Sequence, residues 1–305
     1  MKRFFILASA AIVALASCAK TEVVYTEAPA EIGFKAFTGV MSRAPHSGTT
    51  MPTEENMVVY ASYATEAAGT YASAFAGVSF EYDSFWKGAE APQYWPTTGY
   101  MKFLAYYPEE IGSATGNAVD GVEIAVDDIS TNQPDILYTA LTAAQQCAAQ
   151  PVVPMTFYHA LAQIQVTAAV ADAAMTDVRI TSVEIVAPNV SGTLTLDGTT
   201  AAWSGHTAKE GNLTMVNNLA TTDLTATPAS LGDGALVVPG AATKLAISYT
   251  IDGLTKSETV SLTETWLQGK KYVYDIKVNY QEIKLSATVE DWTDGTMVNN
   301  GAVEL

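Results

Sequence analysis

Basic and reactive side chains are scarce in this chain. Arginine occurs only at Arg3, Arg43 and Arg179, histidine only at His46, His159 and His206, and cysteine only at Cys18 and Cys147. The three histidines do not cluster by spacing, and Cys147 has no His-x-x-His partner, so no metal is expected. No G-x-S-x-G, P-loop or G-x-G-x-x-G occurs, and no D-x-D-x-D calcium loop. Carboxylates are plentiful, but no pair stands out as an acid and its base. Neither an enzyme nor a cofactor is expected. Lys and Arg together number 15 against 32 Asp and Glu, and from residue 44 onward the balance is 10 against 29. A strongly acidic chain lacks the basic face that nucleic acid requires. It also repels anionic lipid headgroups, and it favours solubility through self-repulsion.

Long apolar runs are equally scarce. Phe4 to Leu15 is the one such stretch, and 12 residues are too few to span a bilayer as a mature helix. Lys2 and Arg3 precede it, and Leu15-Ala16-Ser17-Cys18 closes it. That is a secretory signal ending in a lipobox, so residues 1–17 are expected to be a signal peptide and Cys18 the lipidated residue. Acyl chains contribute roughly 0.8 kcal/mol per buried CH2, so a diacylglyceryl plus N-acyl anchor would hold the chain on a membrane. A lipidated Cys18 leaves Cys147 unpaired. A buried structural thiol and no disulfide follow.

The rest reads as β-structure. Residues 31–37 form a first strand, in which Ile32 and Phe34 alternate with Gly33 and Lys35. Residues 38–56 are a linker rich in Gly, Ser, Thr and Pro. Strands are then expected at 57–63, 75–82, 101–107, 119–126, 157–169, 178–187, 192–196, 235–238, 244–251, 257–262, 271–280 and 282–290. Residues 140–149 are expected to form one short helix. Turn signals about every ten residues point to sandwiches. The chain is long enough for two cores, with the break expected at 150/151, where prolines bracket a strand start.

Two features carry candidate function. Arg43 lies in the linker, whereas Arg179 lies in an expected strand. An arginine-specific protease would therefore find one accessible arginine in the exported chain, cutting between Arg43 and Ala44. Trp86, Tyr94, Trp95, Tyr106 and Tyr107 form an aromatic-rich segment. Such residues are core when interior and a sugar-stacking platform when exposed and coplanar.

A set of short motifs, in order, resembles the fimbrillin-like family of Bacteroidales. They are Ile32-Gly33-Phe34, Ser42-Arg43-Ala44, Tyr94-Trp95-Pro96, Phe103 to Pro108, Pro134 to Tyr138, Phe157 to Leu161, Gly269 to Tyr274 and Val289 to Trp292. The resemblance covers nearly the whole chain. It implies an all-β fold of two transthyretin-like β-sandwich domains in tandem, here 44–150 and 151–305, after a lipidated leader at 18–43. It implies a type V pilus subunit, carried to the outer membrane as a lipoprotein and activated by an arginine- or lysine-specific protease that removes the first strand. A donor strand from a neighbouring pilin would fill the slot, giving a cell-surface fimbria that serves adhesion. The tail 296–305 is the candidate donor, through Val298, Ala302, Val303 and Leu305. The other readings are a tip or anchor subunit, or a non-polymerising glycan-binding surface lipoprotein in which the Trp86 and Trp95 region is exposed.

Overall fold

The computed structural model describes residues 30–38, 51–217, 223–292 and 303–304. Among these the protein is all-β, with two short 3-10 turns at Glu109–Ile111 and Cys147–Ala149. No helix of the described residues is long and apolar enough to cross a membrane. The first ten strands are β1 (Phe34–Thr38), β2 (Met57–Ala64), β3 (Ala72–Asp83), β4 (Phe85–Gly88), β5 (Tyr100–Tyr107), β6 (Gly112–Asn117), β7 (Gly121–Val126), β8 (Leu137–Thr139), β9 (Gln145–Gln146) and β10 (Val153–His159). There follow β11 (Ala162–Val170), β12 (Val178–Val186), β13 (Asn189–Leu196), β14 (Ala201–Ala208), β15 (Asn212–Asn217), β16 (Ala229–Ser230) and β17 (Ala235–Val237). The last are β18 (Gly240–Ala241), β19 (Lys244–Ile251), β20 (Leu254–Ser261), β21 (Thr265–Trp266), β22 (Lys270–Val278), β23 (Ile283–Asp291) and β24 (Val303–Glu304).

The first sheet closes on itself. Its order is β2-β3-β4-β1-β10-β8-β5, and β5 pairs back onto β2, with β9 attached to β5. Closure removes free edges. Alternation explains which side chains fill it. In β10, Val153, Met155 and Phe157 are buried while Pro154, Thr156 and Tyr158 face out. Inside, Phe34, Phe80, Phe103, Trp86 and Trp95 share one core. β2 shows no alternation, because both its faces are covered. Met57, Val59 and Ala61 point into the barrel. Val58 and Tyr60 point outward beneath the sheet β14-β13-β7-β6, against Val122, Ile124 and Leu194. A continuous apolar run is the signature of such two-sided burial.

The second body is a sandwich. The six-stranded sheet β16-β11-β22-β23-β24, with β17 also on β11, packs on the four-stranded sheet β15-β12-β19-β20. Ile164, Val166, Tyr272 and Tyr274 meet Ile180, Val183, Ile247 and Tyr249 across it. The two bodies interleave along the chain. β10 lies beyond residue 150 yet belongs to the barrel, and β13 from the second half pairs with β7 from the first.

Two local expectations are corrected. Residues 140–149 form no α-helix; they hold β9 and one 3-10 turn. Their backbone bonds to neighbours instead. Leu141 N donates to Gly198 O at 2.7 Å and Thr142 N to Phe103 O at 2.8 Å. Alanine-rich composition is a weak prior that such pairing overrides. The expected strand 157–169 is two strands, β10 and β11. The chain changes body at Ala160 and Leu161, where Ala160 N bonds to Ile136 O and Leu161 O accepts from Gly269 N.

Candidate functional site

β1 is the element on which the sequence places function, and it is the stave that closes the barrel. It runs parallel to β10, in register from Phe34 opposite Val153 to Thr38 opposite Phe157. On its other side a single pair, Phe34 opposite Trp86, joins it to β4. Residues just before it are also seated. Ile32 N donates to Gln93 O at 2.6 Å, Trp95 N to Ala30 O at 3.0 Å, and Val153 N to Gly33 O at 2.9 Å.

Side chains anchor what the ladder leaves weak. Phe34 is fully buried, edge-on to Phe80 at 5.1 Å and to Phe103 at 5.0 Å between ring centroids. Ile32 is buried beside it in the same core. Gly33 must be small, because a Cβ there would come within 2.7 Å of the Phe85 ring. Beyond Phe34 the strands β1 and β4 diverge. A cavity of about 210 Å3 opens there, walled by Ala36, Phe37, Met51, Phe85 and Trp86 among others. Lys35 and Phe37 point outward, Phe37 being 46% exposed.

Several residues nominated from the sequence lie outside the described residues: Cys18, Arg43, Ala44, His46, Val298, Ala302 and Leu305. Of the tail, the backbone of Val303 and Glu304 is placed as β24, pairing antiparallel with Ala287 and Ser286. Arg179 is engaged, with its guanidinium 3.0 Å from Asp177 and 2.6 Å from Asp223. Cys147 is a buried free thiol, and burial pushes its pKa up. His159 is buried with Nδ1 2.7 Å from Asp135 Oδ1, while His206 is exposed. Among the described residues no three His, Cys, Asp or Glu side chains are grouped to hold a metal.

The aromatic segment is core. Trp86, Trp95, Tyr106 and Tyr107 are buried, and only Tyr94 is exposed, at 54%. Burial pushes the Tyr107 phenol up to about 12. No stacking platform forms at Trp86 and Trp95.

The model of the fimbrillin-like family matches residues 42–292. This chain belongs to the fimbrillin-like family. The fimbrillin-like chain is 26% identical over 201 residues to the candidate fimbrium subunit Fim1C of Bacteroides uniformis, over 63% of its own length and 62% of that protein's. The match thus spans less than two thirds of that relative. A crystal structure of a candidate cell-adhesion protein from Bacteroides uniformis superposes with a TM-score of 0.56 at 18% identity, over 86% of this chain and 99% of that one. Another, from Bacteroides ovatus, gives 0.55 at 14% identity, over 88% and 100%. At these identities the likeness establishes the β fold alone.

One cavity was not legible from motifs. It lies over β11, under the loop Leu231 to Gly234, and two glutamines alternating with Ile164 are its faint sequence trace.

Proposed function

We propose that this fimbrillin-like chain is a structural subunit of a cell-surface fimbria, assembled with other pilins after loss of its first strand. The observation that carries the reading is the seating of β1. It fills a barrel slot with Ile32 and Phe34, yet a parallel ladder and one pair to β4 hold it. The residues that follow it include Arg43. Cleavage between Arg43 and Ala44 by an arginine-specific protease severs β1 from the rest. Cys18 lies on the severed piece, so the lipid delivers the precursor to the outer membrane and leaves with β1.

An open barrel exposes unpaired backbone on β10 and an apolar slot, a hazard unless another strand fills it. Strand addition from a neighbouring subunit is the direct remedy. About 500 Å2 of apolar surface at about 25 cal/mol per Å2 corresponds to on the order of 12 kcal/mol gross, before the costs of association. The tail 296–305 is the donor in this reading, with Val298, Ala302, Val303 and Leu305 as its apolar residues. The extended pairing of Val303 with β23 supports its capacity to act as a strand. The tandem division at 44–150 and 151–305 belongs to the same reading, with β10 of the second segment completing the barrel of the first.

N-terminal sequencing of surface-extracted fibres tests it. The expected start is Ala44, with Arg43→Ala trapping a blocked, lipidated precursor outside the fibre. Fibres built from subunits that begin at a lipidated Cys18 would overturn it. A chain lacking 296–305 should fold but fail to polymerise, and normal polymerisation would remove the tail from the donor role.

A further inference from the structure

The fibre reading has β1 lost and replaced, and on that reading the barrel slot itself dictates which strand can enter. Backbone contacts fix the register. Ile32 N donates to Gln93 O, Trp95 N to Ala30 O and Val153 N to Gly33 O, and the parallel ladder to β10 continues to Thr38. A slip of one residue would turn the apolar side chains out of the barrel. Five places, those of residues 30, 32, 34, 36 and 38, face the core by alternation.

Three consecutive places are demanding. Ile32 and Phe34 are 1% and 0% exposed and fill the barrel core. Between them Gly33 is buried, and a Cβ there would lie 2.7 and 2.8 Å from two atoms of the Phe85 ring. Phe85 sits next to Trp86, whose backbone pairs with Phe34, so the ring stands against the strand at this point. Two large apolar side chains flanking a glycine are therefore the signature of a strand that fits. The place of Ala36 is permissive, because it borders the cavity of about 210 Å3 and has room for a larger side chain.

The chain's own tail lacks that signature. Its glycines, Gly295 and Gly301, are flanked by Asp294 and Thr296 and by Asn300 and Ala302. Consider residues 293–305 laid in the slot in either direction. Every register that fills all five inward places sets a glycine, an asparagine or a threonine at the place of Ile32 or Phe34. An amide there would be buried without a partner, between Phe80 and Phe103 at the Phe34 place. A glycine there would leave a void. From residue 44 onward each copy also carries 10 basic against 29 acidic side chains, so copies repel. We infer that the slot admits a strand from a different pilin chain, one with two large apolar residues around a glycine, and rejects the tail of a second copy of this chain. The tail 296–305 then donates to a neighbour of another sequence, and the fibre is a heteropolymer at both joints of this subunit.

Strand exchange on the full chain is the test. The chain is cut after Arg43 by an arginine-specific protease, or at an engineered cleavage sequence replacing residues 41–44 should Arg43 resist. Labelled peptides then compete with the seated β1, followed by fluorescence anisotropy. Peptide 30–38 should enter, and its Gly33→Leu form should bind at least about tenfold more weakly. Peptide 293–305 should also bind at least about tenfold more weakly than 30–38. Thr296→Ile, Met297→Gly and Val298→Phe together install the signature in the tail peptide and should tighten it at least about tenfold. The cut chain by itself should stay monomeric in size-exclusion chromatography. A native tail peptide as tight as 30–38, unchanged affinity in the Gly33→Leu peptide, no gain from the triple substitution, or fibres grown from the pure cut chain would each overturn the selectivity. Entry of both 30–38 and the native tail leaves the fibre reading standing and removes only this inference. Entry of no peptide, 30–38 included, means that the slot does not reopen, and the fibre reading fails with it.

Discussion

The indole of Trp292 lies flat on the imidazole of His159, with ring centroids 3.9 Å apart and planes 13° from parallel. His159 ends β10 of the barrel, and Trp292 follows β23 of the sandwich. Asp135 holds the imidazole at 2.7 Å, and Trp292 N donates to Gly269 O at 3.2 Å. The stack therefore joins the two bodies at a fully buried point. Trp292→Ala should cost about 3–5 kcal/mol in urea unfolding, the usual range for emptying a buried tryptophan site. A loss under about 0.5 kcal/mol, as at an ordinary surface position, would mean that the stack is incidental.

Phe34 gives a two-part prediction. In the chain that retains β1, Phe34→Ala should destabilise by about 3–5 kcal/mol, measured by chemical denaturation. A chain beginning at Ala44 lacks β1 altogether and should bind a hydrophobic dye more strongly. A synthetic peptide of residues 30–38 should suppress that binding. The same peptide carrying Phe34→Asp should not, because a carboxylate cannot sit unpaired between Phe80 and Phe103.

The Tyr274 phenol accepts from Trp266 Nε1 at 2.9 Å and donates to Glu264 Oε1. Burial and the Glu264 bond hold its pKa far above the ordinary tyrosine value. Tyr274→Phe keeps the ring and leaves both partners unsatisfied. A loss of about 1–3 kcal/mol is expected. Near-UV circular dichroism should show an unchanged fold, which separates a lost bond from a collapsed core.

Asp197 sets an acid limit on the β13–β14 hairpin. Its carboxylate accepts from Thr199 N at 2.7 Å, Thr200 N at 2.6 Å and both threonine hydroxyls at 2.9 Å. The backbone bonds from Thr200 and then Thr199 lead in holding its pKa well below the usual value. The folded form thus prefers the charged carboxylate. Its stabilisation is complete above the unfolded pKa of about 3.9 and is lost as pH falls below that. The gap in unfolding midpoint between the parent chain and Asp197→Asn should be constant near neutrality and shrink below about pH 4. A gap that widens in acid would contradict this sign.

Much of the strand pattern was legible along the chain. Met57–Ala64 and Lys244–Ile251 stand where β-branched and aromatic runs place them. Cys147 is a buried free thiol, as expected from the sequence. The short strands β4, β8 and β9 left little trace, because four residues or fewer carry no measurable period. β14 was hidden for another reason. Its residues are almost all exposed, so it lacks the apolar alternation that reveals a half-buried strand. The slot at β1 was legible only as a strand. The cavity at Gln163 had no motif at all.

The sequence by itself determined that the chain is β-structured, acidic and poor in catalytic side chains, and which residues face inward in strands that alternate, such as β19. Those properties follow from composition and from a period of two, which are local. Tertiary structure alone decided that β1 lies parallel to β10 and closes a barrel, and that Trp292 reaches His159. It also decided that the outward glutamines of β11 lie under a glycine loop. Each of these depends on which distant strand becomes a neighbour. Burial of whole faces selects that partner, and no single stretch of chain records it.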